Sequence, residues 1–94
     1  MDSHRILTFL HAKEQAFFWQ VSEFQAIDKG VEAKAEKNHY LRILFNPREG
    51  FKILLLHQGL MRKKIVKRLS KVSPFDLHDA ISNVLALITK KQAA

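Results

Sequence analysis

The sequence predicts an α+β fold in a single domain of 94 residues: a long N-terminal helix, a small antiparallel sheet built around a β-hairpin at 40–56, and two C-terminal helices. Three observations carry this reading. Apolar residues recur at helical spacing near the start, two apolar runs bracket a Pro- and Gly-containing link in the middle, and a second helical stripe leads into a Ser-Pro-Phe-Asp helix start near the end.

Asp2 and Ser3 are N-cap types, and Ile6, Leu7, Leu10, Phe17, Val21 and Phe24 follow at spacings of three, four and seven, which predicts a helix over 3–27 that stops at Gly30. The aromatic and β-branched residues in 6–10 and 17–21 also suit two strands, a rival assignment for the same segment. Alternation of Val31, Ala33 and Ala35 with Glu32, Lys34 and Glu36 suits a short edge strand or a solvated extended segment.

The runs 40–45 and 51–56 flank Asn46-Pro47-Arg48-Glu49-Gly50, a link of hairpin length and composition. Leu41, Ile43 and Phe45 fall on one face with Phe51, Ile53 and Leu55; Tyr40, Arg42 and Leu44 fall on the other with Lys52, Leu54 and Leu56. Both faces are partly apolar, so cover is expected on both, or cover on one and a partner on the other.

After Gln58-Gly59, Met61, Ile65, Leu69 and Val72 form a helical stripe within 60–72. Ser73 then reads as an N-cap, Pro74 as the first helical residue and Asp76 as the acid of the first turn of a helix over 74–90. The apolar residues of that helix, Phe75 among them, cover well over half its circumference, which predicts burial on more than one side.

The composition excludes several classes. Hydrophobic residues make up 47% of the chain and cysteine is absent, so the chain is globular without a disulfide scaffold, a thiolate metal site or thiol chemistry. The longest apolar run, 84–88, is far short of the roughly 20 residues of a membrane span. Met1-Asp2-Ser3-His4 lacks the basic and apolar regions of a secretory signal, so a cytoplasmic address is expected. Five histidines (His4, His11, His39, His57, His78) include no i, i+4 pair with an adjacent Glu and read as surface or boundary residues, so no metal is expected. Three scattered glycines match no phosphate-binding loop, and no nucleophile elbow is present, so neither a cofactor nor enzymatic activity is expected.

Charge supplies the functional signal. The formal net charge is +7, and it is concentrated: residues 1–39 hold five basic and six acidic side chains, residues 40–94 eleven basic and three acidic. Within 60–72 there are six cations and no acid. On a helix, Lys63, Lys64, Lys67 and Lys71 fall within about 100° of one another, roughly opposite the apolar stripe. Like charges so placed repel, and a phosphate backbone relieves the repulsion with release of counterions. The expectation is therefore a non-enzymatic nucleic-acid-binding protein, DNA or RNA, that contacts phosphates through Lys63, Lys64, Lys67, Arg68 and Lys71, with Arg42, Arg48 and Lys52 of the hairpin in support. The alternative is an adaptor or inhibitor whose basic face docks an acidic protein. Attachment to anionic lipid is disfavoured because the apolar stripe is needed for the core. On the long helix Trp19 points away from Val21, towards solvent or a partner, and together with the apolar last helix this predicts a homodimer.

Overall fold

The computed structural model describes residues 3–11, 19 and 21–93. Its elements in chain order are α1 (Ser3–His11), β1 (Ser22–Ile27), β2 (Gly30–Lys34), β3 (His39–Asn46), β4 (Gly50–Gln58), β5 (Lys63–Val72) and α2 (Leu77–Ala93). The five strands form one antiparallel meander in the order β1-β2-β3-β4-β5, with α1 packed on β1 and β2 and α2 on β4 and β5.

The hairpin expectation holds in detail. Leu41 pairs with Leu55, Ile43 with Ile53 and Phe45 with Phe51, and these share the helix-covered face. Tyr40, Arg42 and Leu44 pair with Leu56, Leu54 and Lys52 on the opposite face, which no described helix covers. Gly50 ends the link at φ +83°, a left-handed conformation that favours glycine.

The long N-terminal helix and the first of the two expected C-terminal helices are not observed. The described N-terminal helix is Ser3–His11, with Ile6 and Leu10 buried one turn apart, and Phe24, expected on the same helix, lies on strand β1. The rival strand over 6–10 is likewise overturned; Phe17 and Phe18 lie outside the described residues. Gly30 is not a helix stop but the first residue of β2, where a Cβ would stand 2.0 Å from the Ile43 carbonyl oxygen, so only glycine fits.

The larger correction concerns 60–72, which holds an edge strand rather than a basic helix. Its pairing with β4 slips twice: Leu55 and Leu56 oppose Lys67 and Ile65, and Phe51 and Ile53 oppose Val72 and Leu69. Each slip is a bulge that adds one residue to β5. Val66, Leu69 and Val72 can therefore all pack on the helix-side core at a spacing of three, which a regular strand forbids and a helix nearly reproduces. The bulges imitate helical periodicity. Lys71 occupies the second bulge at φ +57°.

The last helix begins at Leu77, three residues later than expected, because 74–76 form a turn in which the Ser73 hydroxyl donates to the Asp76 carboxylate (3.0 Å) and the Asp76 N–H donates to the Ser73 carbonyl (3.1 Å). Phe75, expected in the core, is 88% exposed on that turn. The helix buries Leu77, Ile81, Val84, Leu85 and Ile88 against the sheet.

Trp19 does not face a partner. It is 6% exposed, and its indole N–H donates to the Ser82 hydroxyl of α2 at 2.9 Å. Its ring lies 5.6 Å from that of His78. His78 is itself buried, donating from Nε2 to the Leu10 carbonyl of α1 at 3.0 Å, since a carbonyl can only accept. Reading His78 and His39 as surface or boundary residues was therefore wrong for both.

Candidate nucleic-acid interface

Strand β5 presents one backbone edge to β4 and the other to solvent, and it carries Lys63, Lys64, Lys67, Arg68 and Lys71. A strand splits these residues between faces. Lys63 and Arg68, opposite Gln58 and Leu54, belong to the open face; Lys64 and Lys67, opposite His57 and Leu55, belong to the helix-covered face at its outer margin. Lys64, Lys67, Arg68 and Lys71 are all exposed. The single cationic helix face expected from the sequence is thus replaced by a cationic rim that reaches both sides of the sheet.

The open face extends this rim inward. Leu54 and Leu56 are only 8% and 4% exposed although they lie outside the helix-side cluster. Their neighbours on that face include Tyr40, Arg42, Ile65 and Arg68, so long amphipathic side chains stand in for the missing layer. Glu32 of β2 organises part of this cover. Its carboxylate accepts from the Arg42 Nε–H and from the Lys63 ammonium (3.3 Å), and that ammonium sits 3.9 Å above the centre of the Tyr40 ring. Burial pushes the Glu32 carboxyl up, but the hydrogen bonds and charges of Arg42 and Lys63 outweigh it and hold the carboxyl below its ordinary value.

Glu32 therefore divides the expected contacts into two groups. Arg42 and Lys63 have an acid on them, whereas Lys64, Lys67, Arg68 and Lys71 form no ion pair among the described residues. The role of Glu32 was missed because its partners lie 10 and 31 residues away, and only the sheet register brings them together.

The remaining two expected residues lie towards the other end of the sheet. Arg48 is exposed on the β3–β4 link, where its backbone N–H donates to the Asn46 side-chain oxygen (2.8 Å). Lys52 lies on the open face and lines a cleft of about 320 Å³ with Lys29, Leu44, Ser70, Lys71 and the acids Asp28 and Glu49. Lys52 and Lys71 thus bring the hairpin and β5 cations to one cleft, with Asp28 and Glu49 between them, a juxtaposition the sequence could not display.

At the opposite end, His39 and His57 are register partners with ring centres 4.9 Å apart, and Lys64 pairs with His57. No group of three metal-ligating side chains occurs among the described residues. No helix among them is long and apolar enough to cross a membrane. No protein family, curated protein or solved structure matches the chain, so any functional reading rests on the geometry of these residues.

Proposed function

We propose that this protein binds nucleic acid through the phosphate backbone, with the β5 rim as the principal contact, Arg48 and Lys52 in support, and Arg42 held in reserve by Glu32. One observation carries the reading: Lys64, Lys67, Arg68 and Lys71, four exposed cations on one edge strand, form no ion pair among the described residues, whereas Glu32 is occupied by Arg42 and Lys63, and Asp28 and Glu49 approach the row only at the cleft beside Lys71. Lysines on an edge strand also deter strand-to-strand aggregation, but one or two suffice for that, and a bulged edge is already a poor template. Because these cations lie on a rim rather than inside a groove-filling helix, they meet phosphates and fix position without reading base edges.

Fluorescence anisotropy of labelled duplex DNA, duplex RNA and single strands at about 50 and 200 mM salt tests the proposal, since phosphate contacts release counterions. Lys64→Glu, Lys67→Glu and Arg68→Glu together abolish binding with the fold intact, because all three side chains are exposed. Unchanged affinity in the triple variant refutes the proposal.

A second reading, docking of an acidic protein, draws support from the unpaired outer edge of β5 with Ile65 exposed beside its cations. Salt-sensitive capture of an acidic protein with no nucleic acid retained would favour it. Trp19 and the apolar residues Leu77, Ile81, Val84, Leu85 and Ile88 of α2, the features that predicted a homodimer, are buried within one chain and give self-association no support.

A further inference from the structure

The connection between β4 and β5, residues 59–62, is closed by the Gly59 N–H donating to the Arg62 carbonyl at 3.0 Å. At its tip Leu60 and Met61 are 106% and 95% exposed, two adjacent large apolar side chains with no packing role. The expectation that Met61 belongs to the core was wrong; Leu69 and Val72 of the same stripe do pack on the core, so the apolar surface left over lies at the tip. Arg62, Lys63 and Lys64 follow the tip directly. The β2–β3 turn is held alongside, where the Gln58 N–H donates to the Asn38 carbonyl at 2.7 Å, and it adds the exposed Lys37 and its exposed neighbour Glu36.

An apolar tip in a cationic collar fits two surfaces, an anionic bilayer or the base stack of a duplex flanked by phosphates. The extent of the charge decides between them. A regular strand rises about 3.3 Å per residue, so Lys67 and Lys71 lie at most about 20 and 33 Å along the chain from Met61, the two bulges of β5 shortening the path. A planar membrane touched by the tip would leave both well beyond a Debye length of about 8 Å. A duplex laid against β5 meets the whole row.

Resting on the nucleic-acid reading, we infer that the hairpin tip is a wedge: Leu60 and Met61 enter between base pairs of double-stranded DNA from the minor groove and kink it, while Arg62, Lys64 and Lys67 hold the flanking phosphates. The ligand class is then B-form duplex DNA with an easily unstacked pyrimidine–purine step, because such steps cost least to open.

The test uses a duplex of about 30 base pairs with 2-aminopurine at a central TA step and a dye pair at its ends, together with vesicles of phosphatidylcholine and phosphatidylglycerol. With the wild-type chain, 2-aminopurine fluorescence rises and the ends approach, as for a kink of about 20–90°. Leu60→Ser with Met61→Ser keeps affinity within about threefold, since the phosphate contacts remain, but leaves the duplex straight and stacked. Binding by the wild type without a bend, or an equal bend by the double variant, overturns the wedge and leaves the phosphate reading standing. Failure to bind any nucleic acid at low salt overturns both. Tip-dependent binding to the vesicles with a straight duplex overturns the wedge in favour of lipid.

Discussion

Glu32→Gln is expected to weaken the fold and tighten nucleic-acid binding, opposite signs from one substitution. Glutamine keeps the shape of the side chain but loses the charge that holds Arg42 and Lys63. On duplex DNA each phosphate contact contributes about −0.9 to the slope of log affinity against log salt, so the four unpaired cations of β5 give about −3.6. Releasing two more steepens this to about −5.4, and between 50 and 200 mM salt the loss of affinity grows from about 150-fold to about 1,800-fold. The difference of about −1.8 does not depend on how many other contacts exist, since they add equally to both proteins. Losing two charge-assisted hydrogen bonds costs the fold about 1–3 kcal/mol, read as a lower urea midpoint at pH 7. The pH dependence follows from the lowered carboxyl of Glu32. A group whose folded pKa lies below its unfolded value contributes stability above the unfolded value and loses it as pH falls through the folded one. The stability gap between wild type and variant is therefore constant above the ordinary carboxyl value of 4.5 and closes below it. An unchanged or shallower salt slope in a folded Glu32→Gln protein refutes the division of cations made here.

Lys71→Gly should also separate folding from binding: it relieves a residue at φ +57°, a gain of about 1 kcal/mol in urea unfolding, while the salt slope falls by about 0.9. Gly30→Ala drives a Cβ to 2.0 Å from the Ile43 backbone oxygen, which a strand centred in the sheet cannot yield, and is expected to cost about 3 kcal/mol or more by chemical denaturation. Ser82→Ala leaves the buried indole N–H of Trp19 without its acceptor, for a loss of about 1–3 kcal/mol. Trp19 is the chain's one tryptophan, so its emission reports that change directly.

The parts of the fold legible in the sequence are those where local and tertiary preferences agree. The β3–β4 hairpin has regular alternation, a Pro–Gly link and no bulge, and its register follows from its side chains. The last helix is marked by its apolar pattern, though Ser73 and Asp76 bond to each other in a turn ahead of it. Strand β5 was illegible because two bulges convert a period of two into a period near three. Strand β1 was illegible for the same reason, since its pairing slips between Ser22 and Gln25. At the candidate site the cationic residue types were visible, but their arrangement was not. Which cations are neutralised depends on Glu32, and where Leu60 and Met61 point depends on β5 being a strand.

The meander has a consequence for how the chain assembles. Every strand pairs with its neighbour in sequence, so each hairpin closes a short loop at little entropic cost and the sheet can zip outward from β3–β4. Only the helices demand long-range closure, and there the bond from His78 to Leu10 spans 68 residues and that from Trp19 to Ser82 spans 63. The first bond fastens α2 to α1 and the second fastens α2 to the segment ahead of β1, and this clasp is expected to form after the sheet and open before it. Amide exchange should then divide the molecule in two, with the central strands protected longest and α1 released first, so removal of either helix frees the other's side of the clasp.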